Sequence, residues 1–134
     1  MERDVYSGRL KLNGEEHRKT LAAAINYASS LIDPEIDLQH FEEARSLMRK
    51  TMPVARRVLG ESDELTLRMR WIYTMALYRD NAATLDDLRE AVTSLEDTAR
   101  IGRRVLGGAH PLVEGIEVSL QNSRAALCAR EGSA

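Results

Sequence analysis

Little in this chain is sulfur-bridged, rigid or aromatic. Its 134 residues include one cysteine, three prolines, one phenylalanine and one tryptophan. A single cysteine excludes an internal disulfide and favours a reducing, intracellular compartment. Aromatics at 4%, with no sustained alternation of β-branched and polar residues, argue against strands. No run approaches the roughly eighteen uninterrupted apolar residues of a membrane helix. The start, Met1 to Tyr6, lacks the apolar stretch of a secretory signal. A formal net charge of −2 is neither the basic excess of a nucleic-acid binder nor the acidic excess of a solvating tail. The expectation is a soluble, cytoplasmic protein without nucleic-acid or membrane partners, forming a single domain over residues 1–134. Cys128, between Leu127 and Ala129, is expected to be a buried or half-buried small apolar residue.

What the chain does have is repetition. Arg56-Arg57-Val58-Leu59-Gly60 returns 47 residues later as Arg103-Arg104-Val105-Leu106-Gly107. The same offset sets Phe41 on Leu88, Ala44 on Ala91 and Leu65 on Leu112. Stepping back 46 residues from Gly60 reaches Gly14, so three copies of one turn are visible. Self-similarity at this period means stacked supersecondary units, none able to bury its apolar face alone.

The units are helical. Leu88, Val92, Leu95, Ala99, Gly102 and Leu106 step by alternating fours and threes along one stripe. One copy earlier the stripe reads Phe41, Arg45, Met48, Met52, Ala55 and Leu59. Arg45 fits at the stripe's edge, its stem on the core and its head in water. Gly102 in a helix interior costs roughly 1 kcal/mol, which argues for close packing against a neighbour there. The spacing predicts helices over about 16–32, 38–59, 63–79, 85–106 and 111–130, after a short leading segment over 2–12. Thr84 with Asp87, and Asp37 one copy earlier, are candidate N-caps for the second helices. The arginine pairs suit the negative helix ends, and the glycines beyond them suit a left-handed C-cap. Pro53 predicts a kink or a local break.

These residues resemble tetratricopeptide repeats of the kinesin light chain type. Phe41-Glu42-Glu43-Ala44, then twelve residues, then Arg57-Val58-Leu59-Gly60 looks like that family's second helix. Gly14, His17, Thr20, Leu21, Asn26, Tyr27 and Ala28 match the entry to its first helix, as do Gly107, His110 and Pro111. The resemblance covers roughly residues 10 to 128 and implies an all-α fold. Antiparallel helix hairpins would stack as a short right-handed solenoid of about two and a half repeats. It also implies a protein or peptide partner, because in the family a first-helix asparagine faces the concave groove and bonds a bound peptide's backbone. Here that asparagine is kept only as Asn26; Ile72 and Ser119 take its place in the other copies. The loop between the two helices of a pair is longer than the family's.

Catalytic carriers are missing. There is no Gly-x-Ser-x-Gly elbow, no phosphate loop and no Cys-x-x-Cys. His17 and His110 share one register position in the turn, which reads as capping. Asp37, His40 and Glu43 have helical spacing but no second such set to complete a bundle metal site. Neither a metal nor a cofactor is expected. Trp71 suits either a partner anchor or the core, whereas Tyr73 reads as core. Arg49, Lys50, Arg56, Arg57, Arg100, Arg103 and Arg104 form either a ridge for an acidic partner or a solvated face balanced by nearby acids. The candidate partner-binding residues are therefore Asn26, Trp71, Arg49, Arg56, Arg57, Arg103 and Arg104. The function expected is a non-enzymatic interaction module binding an acidic or amphipathic peptide or helix on the concave face. The alternative is an architectural or self-associating piece of a longer array, with a homodimer formed through its open ends.

Overall fold

The computed structural model describes residues 2–35 and 40–132. Among the described residues it contains six helices and no strand. They are α1 (Glu2–Asn13), α2 (Arg18–Leu31), α3 (Phe41–Leu59), α4 (Glu64–Tyr78), α5 (Leu85–Leu106) and α6 (Pro111–Gly132). The leading segment is thus a helix in its own right. The expected cap Asp37 lies outside the described residues, and His40 at the start of α3 makes no side-chain cap. The chain forms two compact units, Met1–Tyr73 and Thr74–Ala134, and the boundary falls inside α4.

In the first unit α1 packs on α2 and α2 on α3. Its core consists of Leu21, Ala24, Ala28, Met48, Ala55 and Leu67, all nearly or fully excluded from solvent. Tyr6 of α1 lies beside Tyr27 of α2, their ring centroids 6.2 Å apart. The Thr20 hydroxyl, itself buried, donates to the Arg9 carbonyl at 3.0 Å and so ties α2 to the last turn of α1. In the second unit α5 packs on α6 around Ala91, Leu95, Val113 and Ile116.

The repeat seen in the sequence extends to single atoms. Ala44, Met48, Thr51 and Ala55 of α3 are buried, and so are Ala91, Leu95, Thr98 and Gly102 at the matching positions of α5. The hydroxyls of this register pair, Thr51 and Thr98, each donate to the carbonyl four residues back, Leu47 at 2.8 Å and Ser94 at 2.7 Å. Gly14, Gly60 and Gly107 all have positive φ, at 80°, 93° and 89°. Three residues beyond each glycine comes an acceptor that caps the following helix. His17 Nδ1 accepts from Lys19 N–H, Asp63 Oδ1 from Leu65 N–H, and His110 Nδ1 from Leu112 N–H. The two histidines therefore do what the shared register implied. Thr84 and Asp87 form a complete capping box at the start of α5.

Two expectations are corrected. Gly60 and Gly107 have ψ of 163° and 153°, which is extended backbone at positive φ rather than the left-handed helical cap. That region is essentially reserved to glycine. Pro53 is exposed and lies inside α3, which continues through it without a local break. Cys128 is exposed rather than buried. Near its C-terminus α6 turns Cys128, Ala129 and Arg130 to solvent, with Ala126 and Leu127 half-covered.

Candidate partner-binding surface

The basic residues of the second helices come in register pairs, and the two units treat them differently. Arg56 of α3 lies 3.2 Å from Glu61, whose other oxygen lies 3.7 Å from buried Arg70 on α4. One copy later, Arg103 of α5 pairs directly with Glu117 of α6. Glu117 occupies the register position of Arg70. The charge there is reversed between copies, and Glu61 supplies from the turn the carboxylate that α4 lacks.

Across α5 and α6 this arrangement frames an open groove of about 710 Å³. Ala99 and Leu120 give it an apolar base, and both are largely buried. Around them stand Arg100, Arg103, Arg104 and Arg124, against two acids, Glu96 and Glu117. Arg124 lies 2.8 Å from Glu96, and Arg100 pairs with Asp97 one turn away on its own helix. Arg104 is exposed and forms no ion pair among the described residues. The volume is that of an ordinary ligand cleft, and the guanidinium fork matches a carboxylate held by two hydrogen bonds.

Among the expected partner-binding residues, Arg103 and Arg104 are brought together in this groove. Asn26 is exposed on α2, but its counterparts Ile72 and Ser119 are buried, and Ser119 Oγ is bonded by Tyr78 Oη at 3.2 Å. The asparagine position is therefore open in one copy only. Trp71 is half-buried on α4. Arg49 stacks over the Tyr73 ring, 5.6 Å from its centroid, and its Nε donates to Tyr73 Oη at 3.3 Å. Tyr73 itself is buried, as core. Arg57 pairs with Glu16 at 2.7 Å, joining the end of α3 to the turn before α2.

Glu96, Glu117 and Arg124 did not emerge from composition or motif. Their signal was available all the same: a glutamate stands seven residues before an arginine on α5 (Glu96, Arg103) and again on α6 (Glu117, Arg124). Among the described residues no group of three or more histidine, cysteine or acidic side chains is placed to hold a metal. Among the described residues no helix is long and apolar enough to cross a membrane.

The tetratricopeptide repeat family model matches residues 36–64 and 82–112. Each match takes in a second helix, its glycine turn and the opening of the next first helix. Both matches fall close to the 47-residue register of the repeat, and over those residues the chain is similar to tetratricopeptide repeats, in keeping with an all-helical repeat fold. No curated protein and no solved structure gave a match.

Proposed function

We propose that this chain is a non-enzymatic protein–protein interaction module that takes an acidic peptide or helix from another protein. The observation that carries this reading is the α5–α6 groove. Four arginines there face two glutamates, and Arg104 is uncommitted. An acidic ligand would meet guanidinium forks at the rim and lay its methylenes on Ala99 and Leu120. In the other unit, exposed Asn26 offers an amide to a peptide backbone, and Trp71 offers a partly open ring, for a ligand on the concave side lined by first helices.

The test is a calorimetric titration with a glutamate-rich peptide against its glutamine counterpart. Arg103→Glu combined with Arg104→Glu should weaken the acidic peptide by about tenfold or more, since like charges oppose docking. Unchanged binding in that variant would remove the groove from the reading. Asn26→Ala tests the first-helix contact separately.

A further inference from the structure

We propose that Glu96 and Glu117 stand in for the ligand's own carboxylates, so that the groove accepts an acidic segment by exchange. The segment it selects would carry two carboxylates on the order of 10 Å apart. The proposal rests on the acidic-ligand reading above and adds the spacing the ligand must have and the groups it must displace.

Seven residues separate Glu96 from Arg103 on α5, and seven separate Glu117 from Arg124 on α6. That is two helical turns, on the order of 10 Å along the axis. The glutamate of each helix pairs with the arginine of the other: Glu96 with Arg124 at 2.8 Å, and Glu117 with Arg103. Such crossed pairing requires the two helices to run antiparallel. It places one carboxylate–guanidinium pair at each end of the groove, with Ala99 and Leu120 between them. Each glutamate thus holds an arginine fork that an incoming carboxylate would use.

Both pairs are open to water. Side-chain exposures are 54% and 51% for Arg124 and Glu96, and 61% and 28% for Arg103 and Glu117. Ion pairs this exposed contribute little net stability, so releasing them costs little, and a ligand carboxylate restores the same geometry at the same arginine. Uncommitted Arg104, next to Arg103, gives an arriving carboxylate a first point of attraction. The arrangement is particular to this copy. At the register positions of Glu96 and Glu117 the first unit carries Arg49 and Arg70, and the carboxylate that meets Arg56 there comes from Glu61 in the turn.

The probe is a short fluorescent peptide carrying two glutamates separated by two residues, a spacing that spans roughly 10 Å when extended. Its glutamine version serves as control. Glu96→Gln and Glu117→Gln should each tighten binding about two- to fivefold, the ratio expected on removing one exposed competing pair. The double variant should tighten it further, and moving the peptide's glutamates next to each other should abolish the gain. If the wild-type protein binds but the variants bind no tighter, the exchange idea fails while the acidic-ligand reading stands. If only the double variant binds, the stand-in role is upheld in its strongest form. If neither the wild-type protein nor the double variant binds, both readings fall.

Discussion

Gly102 of α5 lies against Val113 of α6 so closely that a Cβ on residue 102 would come within 3.2 Å of Val113 Cγ2. Val113 is fully buried and has little room to retreat. Gly102→Ala gains about 1 kcal/mol of helix propensity and gives part of it back in displacing the valine. Urea unfolding should place it within about 1 kcal/mol of the wild-type protein. Gly102→Leu has no such offset, and overpacking should cost about 2 kcal/mol or more. A leucine variant as stable as the parent would show that α5 and α6 are not in this contact.

Gly107 and Gly108 stand side by side and should respond unequally to alanine. Neither would meet a neighbouring atom, so space does not separate them. Backbone does: Gly107 has φ 89° and ψ 153°, whereas Gly108 is not among the glycines with positive φ, which among the described residues are Gly14, Gly60 and Gly107. Gly107→Ala should therefore cost roughly 1–3 kcal/mol in strain, and Gly108→Ala close to nothing. Chemical denaturation of the two variants checks this directly. Equal costs would mean that the turn relaxes to another conformation.

The residues that sequence reasoning placed well are those whose role is local or repeated. The α5 stripe, Thr84 with Asp87, the capping histidines and the positions of the turn glycines, though not their conformation, are each fixed by neighbours within a few residues or by a second copy at the same register. Cys128 was misplaced because its exposure depends on what covers the last turns of α6, which periodicity along the chain does not state. The groove was half-visible for a related reason. Arg103 and Arg104 announce themselves by repetition, but Glu96, Glu117 and Arg124 gain meaning only once α5 and α6 are laid antiparallel. Arg70 and Glu117 show the limit of register arguments, since equivalent positions carry opposite charges and are balanced by different partners.

Asp63 holds two partners at once. Its Oδ1 caps α4 by accepting from Leu65 N–H at 2.9 Å, and its Oδ2 meets Arg18 of α2 at 3.0 Å. His17 and His110 cap from the same position through Nδ1. Asp63→Ala should cost about 1–2 kcal/mol, mostly through the lost cap. Arg18→Ala should cost well under 1 kcal/mol, since the arginine side of that pair is exposed. His17→Ala should cost about 1 kcal/mol, and His17→Asp, which copies the second turn into the first, should recover it. Thermal or urea unfolding of the four variants measures the order. A loss for Arg18→Ala as large as that for Asp63→Ala would make the ion pair, rather than the cap, the main role of Asp63.

Tyr27 on α2 donates its hydroxyl to Glu43 on α3. That bond requires the neutral phenol, and it is the main reason the Tyr27 pKa is raised. Burial and the negative charge of Glu43 add to the shift, and Arg3 works against it. Tyr6 is also raised, by burial first and then by Glu15. A phenol whose folded-state pKa exceeds its unfolded value favours the folded state while it is neutral. Its contribution is therefore complete below the ordinary tyrosine value near 10, and it is lost as pH rises through the folded-state value. Two outcomes follow for an alkaline titration read by tyrosinate absorbance, comparing the wild-type protein with Tyr27→Phe. The component lost in the variant should ionise above the ordinary value, and in Glu43→Gln the same component should move back towards it. Ionisation of Tyr27 at or below the ordinary value in the folded protein would separate α2 from α3 at this point.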